Sequence, residues 1–362
     1  MTKIVVHLVA GARPNFMKVA PIWHALTYET WCEPRIVHTG QHYDDRMSSQ
    51  FFRDFNLPPA HYSLGVGSGT HAQQTAEIML SYEKVCLAEP PTLVIVVGDV
   101  NSTLAAALVA KKLNIPVAHL EAGLRSGDRA MPEEINRLVT DAIADLLWTP
   151  SPDADDNLRK EGHSPQSIIR VGNVMIDAFE MLRPVIDSVS IGNLTSFKRR
   201  NYAVVTIHRP SNVDSESQLS SIVDALLKVN SDWPLVFPVH PRTESSLKRF
   251  GIKQHLIDAG VTLLEPLGYK EFMALVMNSR LVVTDSGGVQ EETSYLGIPC
   301  FTLRENTERP ITVTHGTNKL VNASELVDAI RGLKPVCCVD IELWDGQAAN
   351  RVVENLRHYF NK

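Results

Sequence analysis

Residues 281–292 read Leu-Val-Val-Thr-Asp-Ser-Gly-Gly-Val-Gln-Glu-Glu. A β-branched apolar run ends at Asp285, two glycines follow Ser286, and a helix-compatible segment opens with paired carboxylates. The order is strand, glycine turn, helix N-terminus, where unpaired N–H groups and the helix dipole attract an anion. Glu291 and Glu292 then stand where they could grip neutral hydroxyls beside that anion. Phosphate plus hydroxyls points toward a nucleotide, a nucleotide sugar among the options. The same residues equally suit an ordinary strand–turn–helix whose acidic residues favour the helix start.

The alternation continues along the chain. Candidate strands are Ile4–Ala10, Arg35–Thr39, Leu93–Gly98, Val117–Leu120, Ile168–Val171, Tyr202–Thr206, Leu235–Pro238, Val261–Leu264, Leu281–Thr284 and Cys300–Leu303. Helical patterns lie between them, among others Val100–Leu113, Glu133–Leu147, Glu216–Val229 and Ser324–Gly332. Such alternation predicts βαβ units and parallel sheets covered on both faces. Between residues 186 and 201 the pattern weakens into a polar stretch with Ser188, Ser190, Asn193, Lys198 and Arg199, read here as a linker. The expected fold class is therefore α/β, with two doubly wound, Rossmann-like domains. Ligands of open α/β sheets bind beyond the carboxyl ends of the strands, so an interdomain cleft is the expected site.

The bulk numbers agree with this division and exclude several function classes. A chain of 362 residues exceeds one ordinary core. The net charge is −6, from 35 basic and 41 acidic residues, with no basic block, so no nucleic-acid partner is expected. Any phosphate must be held locally. The five cysteines, Cys32, Cys86, Cys300, Cys337 and Cys338, are odd in number and form no C-x-x-C pair. Neither a disulfide framework nor a metal site is expected from them. No apolar stretch approaches the ~18 residues of a bilayer span, and no leader pattern precedes the first strand. A cytoplasmic protein without a membrane partner is the expectation.

Charged residues gather at strand ends. The first strand runs into Gly11-Ala12-Arg13-Pro14-Asn15-Phe16-Met17-Lys18. Arg13 and Lys18 there suit a diphosphate, one as a planar fork and the other as a point charge, although a solvated loop would look the same. Neither a P-loop nor a dinucleotide fingerprint is present, so no redox cofactor is expected. Asp99 ends another apolar strand, where helix capping and chemistry compete. Glu121 leaves the strand Val117–Leu120, and Pro132 introduces a helix bearing Glu133, Glu134 and Arg137. Glu133 and Arg137, four apart, could form a surface pair worth ~0.2–0.5 kcal/mol. Asp99 and Glu121 together offer carboxylates from neighbouring strand ends, the arrangement that separates acid from base. In the second half His208-Arg209 and His240-Pro241-Arg242 close two further strands, and Thr307-Glu308-Arg309-Pro310 follows another.

Taken together, these motifs resemble the non-hydrolysing UDP-N-acetylglucosamine 2-epimerase family over nearly the whole length. The stretches are GARPNFMK (11–18), TGQH (39–42), GDVNST (98–103), HLEAGLRSGD (119–128), PEEINR (132–137), HR (208–209), VHPR (239–242), TDSGGVQEE (284–292), TERP (307–310) and DGQA (345–348). The resemblance implies a GT-B-like pair of domains, residues 1–185 and 186–347, with the last helix, 348–362, returning to the first. It implies Asp99, Glu121, Glu133 and His208 as catalytic groups. Arg13, Lys18, Ser286, Gly287, Gly288 and Arg309 would hold phosphates, Glu292 the ribose, and Phe272 would lie by the uracil. Arg137 and His240 join the substrate-binding set, as do Gln41 and His42 of the TGQH motif, which in the family lines a second, activating site. A UDP-sugar substrate, a homodimer and no cofactor are further expectations. Ala12 and Asn15 stand where the family usually has Thr and Glu, and Pro210-Ser211 follow His208-Arg209 where Arg and Glu are usual. Relatives acting on diacetamido-uronic acid nucleotides share the GARP and MPEEINR spellings, so the sugar stays open.

The chemistry explains the groups. The C2 hydrogen of an N-acetylhexosamine has no adjacent carbonyl, so simple enolisation cannot invert that centre. Removing the C2 proton while UDP departs gives a glycal, and returning the proton to the other face requires two separate acids. A nucleotide-sugar glycosyltransferase remains an alternative, but leaves the three carboxylates without a task. A hydrolysing epimerase and a UDP-sugar sensor are the others.

Overall fold

The computed structural model describes residues 3–40, 52–333 and 339–362. Gln41, His42, Cys337 and Cys338 lie outside the described residues. The chain divides into two compact units, Met1–Met181 with Glu342–Lys362, and Leu182–Ile341.

The first unit is built on seven parallel strands: β1 (Ile4–Ala10), β2 (Cys32–His38), β3 (Tyr62–Ser63), β4 (Leu93–Val97), β5 (Val117–Leu120), β6 (Leu146–Thr149) and β7 (Ile168–Arg170). Their spatial order is β3-β2-β1-β4-β5-β6-β7. Val9 on β1 pairs with Val37 on one side and Val96 on the other. Every residue of β4 and β5 is buried; β4 therefore reads as an unbroken apolar run, and β5 does so apart from the buried His119. The connecting helices are α1 (Arg13–Thr27), α2 (His71–Ala88), α3 (Asn101–Lys112), α4 (Pro132–Ile143), α5 (Pro152–Lys160) and α6 (Val174–Asp187). Strand order reverses between β1 and β4, and ligands of doubly wound sheets bind at that switch point.

The C-terminal segment completes this unit. Helix Ala348–Tyr359 starts on the Asp177 carboxylate, which accepts the N–H groups of Ala348 (3.2 Å) and Ala349 (2.8 Å). Farther along, Arg357 pairs with Glu29 at 2.7 Å, and Asn355 accepts the indole N–H of Trp148 at 2.8 Å.

The second unit holds six parallel strands: β8 (Ala203–Thr206), β9 (Leu235–Pro238), β10 (Thr262–Leu264), β11 (Leu281–Thr284), β12 (Cys300–Leu303) and β13 (Asn318–Val321). Their order is β10-β9-β8-β11-β12-β13, so the switch point falls between β8 and β11. The principal helices are α7 (Glu216–Asp232), α8 (Pro241–Arg249), α9 (Tyr269–Met277) and α10 (Gly287–Tyr295). Val205, Phe237, Leu281 and Val283 pack with Leu219, Ile222 and Leu226 of α7 in one core. No helix of the described residues is long and apolar enough to cross a membrane.

One expected element is corrected. The helix read as Glu133–Leu147 ends at Ile143, and Leu146–Thr149 is strand β6. Ala144 is already extended, with ψ 145°. The Asp145 carboxylate then accepts the Val117 N–H at 2.7 Å and the Lys111 ammonium at 2.7 Å, which aims the chain into the sheet beside β5.

Candidate active site

The first switch point is lined by the loops after β1, β4 and β5. After β1, the Asn15 side chain accepts the Ala12 N–H at 2.8 Å and donates to the Val97 carbonyl at 3.0 Å. It thereby ties the start of α1 to the end of β4. Arg13 is the first residue of α1. One turn on, the Lys18 ammonium lies 2.5 Å from Glu121 Oε2, both side chains buried. The resemblance assigned Lys18 to phosphate; in the structure its ammonium also pairs with a carboxylate, through one contact. Glu121 carries a φ of +71°, a left-handed conformation costing an L-residue roughly 1–2 kcal/mol. Its second oxygen, Oε1, is buried with no hydrogen-bond partner. Gly98 (φ +67°) makes room for this pair, since a Cβ there would stand 2.9 Å from Lys18 Nζ.

Asp99 follows Gly98. Its Oδ2 accepts two N–H groups of Arg137, Nε at 3.0 Å and Nη2 at 2.5 Å. Arg137 is buried and turns its remaining amino group to Glu134 at 2.5 Å. Glu134 in turn accepts the N–H groups of Ser126 (3.0 Å) and Gly127 (2.9 Å), latching the loop between β5 and α4. Burial alone would raise Glu134, but those amides together with Arg137 hold its carboxyl below the usual range. Glu133, half-buried beside it, makes no hydrogen bond or ion pair among the described residues. The surface pair with Arg137 does not form, because Arg137 is drawn inward to Asp99 and Glu134.

The second switch point is organised by Asp285. This fully buried carboxylate accepts the N–H groups of His208 (3.0 Å) and Arg209 (2.8 Å) and the Asn212 amide (3.0 Å). His208 Nδ1 is also 3.1 Å from Asp285, so the ring leaves Nε2 on its other edge. Burial would raise Asp285, but the His208 ring, the Arg209 amide and Asn212 outweigh it and hold the carboxyl low. The rings of His208 and His240 lie 5.2 Å apart.

Ser286 occupies the N-cap position of α10 without a side-chain capping bond, and the helix begins with Gly287 and Gly288. A Cβ at Gly287 would meet Glu308 at 2.8 Å and Arg309 at 3.0 Å, whereas nothing lies within 4 Å of one at Gly288. Behind that turn, alternating charges run Arg304–Glu308 (2.8 Å), Glu308–Arg309 (2.7 Å) and Arg309–Glu291 (2.8 Å). Burial opposes ionisation of Glu308, yet Arg309 and Arg304 hold it far below the usual carboxylate range. Farther along α10, Glu292 accepts the Tyr269 hydroxyl at 2.7 Å, and Phe272 sits half-buried on α9.

The structure thus gathers Lys18, Asp99, Glu121 and Arg137 at one switch point, and His208, His240, Ser286–Gly288 and Arg309 around the loops at the other. Among the described residues no cluster of His, Cys, Asp or Glu could hold a metal ion. Sequence reasoning did not assign roles to Asn15, Glu134, Asp285 and Tyr269. Asp285 carried a signal, an acid closing a wholly apolar strand, but its partners stand more than seventy positions earlier.

The family model described as UDP-N-acetylglucosamine 2-epimerase matches residues 24–357. A UDP-N-acetylglucosamine 2-epimerase of Methanocaldococcus jannaschii is 44% identical over 338 residues, spanning 89% of this chain and 90% of the relative. A UDP-2,3-diacetamido-2,3-dideoxy-D-glucuronate 2-epimerase of Pseudomonas aeruginosa is 40% identical, covering 96% of this chain and 98% of the relative. A crystal structure of the Methanocaldococcus jannaschii UDP-GlcNAc 2-epimerase, in complex with UDP-GlcNAc and UDP, superimposes with a TM-score of 0.88 at 40% identity, covering 98% of this chain and 100% of that one.

Proposed function

The chain belongs to the UDP-N-acetylglucosamine 2-epimerase family, and from that premise we propose that it interconverts UDP-N-acetylglucosamine and UDP-N-acetylmannosamine. The observation that carries the reading is the pair Asp99 and Glu121 at one switch point, each anchored through a single oxygen. Glu121 keeps Oε1 without a protein donor, so a proton can be exchanged there. A carboxylate takes the C2 proton, the C1–O bond breaks with its electrons passing to UDP, and a C1=C2 glycal remains. A proton then returns to the opposite face of C2 while UDP re-adds at C1. Asp99, Glu121 and Glu133 share these proton transfers. Charge developing on the departing diphosphate is met by His208, Arg209, Arg309 and the start of α10, with Arg13 at the start of α1 added. No dinucleotide or metal enters the scheme, and we propose a homodimer as the working assembly.

Incubation with UDP-N-acetylglucosamine in deuterated water tests the reading. The C2 epimer should form with deuterium at C2 and the UDP linkage intact. Accumulation of UDP and free N-acetylmannosamine would replace it with a hydrolysing enzyme. Inertness without an acceptor sugar would favour a glycosyltransferase. The Pseudomonas aeruginosa relative motivates a second substrate, the UDP-diacetamido-uronate. Offering the two nucleotides separately decides between them by which one is epimerised.

A further inference from the structure

Beneath the loops carrying Asp99 and Glu121 lies a buried pair that the proposed proton transfers do not use. His119, on β5, and Asp141, on α4, are both 0% exposed. His119 Nε2 lies 2.8 Å from the Gly98 carbonyl oxygen, and Nδ1 lies 2.6 Å from Asp141 Oδ1. The other Asp141 oxygen accepts the Gly123 N–H at 3.0 Å and Arg125 Nη2 at 2.7 Å. Arg125 is itself paired with Glu161 at 2.6 Å, and the Lys18–Glu121 pair lies on the far side of Gly98.

The connectivity is specific. Gly98 immediately precedes Asp99, and Gly123 lies two residues beyond Glu121. One rigid pair therefore grips a peptide group on each of the two loops that present the reacting carboxylates. Gly98 and Gly123 adopt their φ of +67° and +81° without strain, but Glu121, an L-residue, stands at +71°. That conformation persists only where the surroundings over-determine it. Each ring nitrogen faces an oxygen atom, so the ring is held from both edges. A core histidine that merely filled space would not need a fixed partner on both edges.

We propose that the His119–Asp141 pair is a positioning device that sets the spacing between the Asp99 and Glu121 carboxylates. It rests on the epimerase reading of those two residues. Displacing a reacting group by about 1 Å can cost on the order of 10²-fold in rate. Both residues are fully buried, so binding should be spared.

The test compares the unaltered protein with His119→Gln and Asp141→Asn. A glutamine can still donate toward Gly98 but cannot also reach Asp141. The expected result is a kcat lowered at least ~10-fold, with KM and UDP affinity within ~3-fold and a retained unfolding midpoint. More UDP should also leak from each turnover, because the two proton transfers are no longer matched. A folded variant with kcat within ~2-fold of the parent overturns the proposal, and so does a rate loss that only tracks lost folding and lost UDP binding. If both variants fail to fold, long-range ¹⁵N–¹H spectra of the ¹⁵N-histidine-labelled parent decide. A ring N–H protected from exchange with solvent upholds the pair, and ring protons that exchange freely overturn it. A parent inert toward both candidate nucleotides sinks the epimerase reading instead, a result distinguishable from failure of the variants alone.

Discussion

The two sheets share a strand order and gather charged loops at the same topological place, yet they use their carboxylates in opposite ways. At the first switch point Asp99 and Glu121 are each fastened through one oxygen, and Glu121 Oε1 has no protein donor. At the second, Asp285 is consumed by two backbone amides, an asparagine and a histidine, and Glu308 by two arginines. Asp99 and Glu121 retain acceptor capacity, whereas Asp285 and Glu308 hold the surrounding amides, histidine and arginines in shape.

The sharpest way to break the contrast is to neutralise an acid on each side. Glu121→Gln should lower kcat by ~10³-fold or more while UDP affinity stays within ~10-fold, about 1.4 kcal/mol. A fully active variant, measured by epimer formation, would remove Glu121 from the chemistry. Lys18→Met leaves Glu121 buried without its cation, and breaking such a pair costs about 3–5 kcal/mol. Chemical denaturation should show that loss, and an unchanged midpoint would mean the ion pair is not needed for the fold. Asp285→Asn should act on the other side of the contrast. It turns one acceptor into a donor facing the His208 and Arg209 amides, for a loss of about 1–3 kcal/mol in stability. UDP affinity should fall with it, whereas an effect on kcat alone would make Asp285 a reacting group. The pH dependence sharpens the same point. The folded-state depression of Glu308 and Asp285 contributes stability that is present above their unfolded pKa values, near 4, and is lost as pH falls toward the folded ones. Glu308→Gln should therefore flatten the acid limb of the unfolding curve between about pH 5 and 3, and an unchanged slope would refute the assignment. The smallest effect is expected of Gly288→Ala. The protein leaves space for that methyl, so stability should hold while UDP affinity drops by about 1 kcal/mol, read by calorimetry.

Most of the frame was legible because buried parallel strands are written as continuous apolar runs. Strands β1, β5, β9, β11 and β12 lie where those runs begin and end. β6 was hidden because its Leu146-Leu147-Trp148 follows a helical pattern without a glycine or proline, and only the Asp145 contacts break it. β3 is two residues long and β13 carries Asn318 and Lys319, so neither announces itself. In the site, Asp99 and Glu121 stood out as acids emerging from apolar strands. The possible Glu133–Arg137 pair rested on helical spacing, which cannot see that two of the Arg137 N–H groups go to Asp99 in the loop after β4. The Asp285 clamp and the Tyr269–Glu292 bond are equally products of tertiary folding, beyond the reach of local spacing.

The return of residues 342–362 to the first unit orders events during synthesis. The unit emerging first from the ribosome lacks its closing helix, and Asp177, Glu29 and Trp148 must wait for partners made after the whole intervening body. The second unit, contiguous in the chain, can mature meanwhile as an inserted module. Ribosome stalling before residue 342 should thus leave a protease-resistant second unit beside a labile first one, and release of the remaining residues should close the older half last.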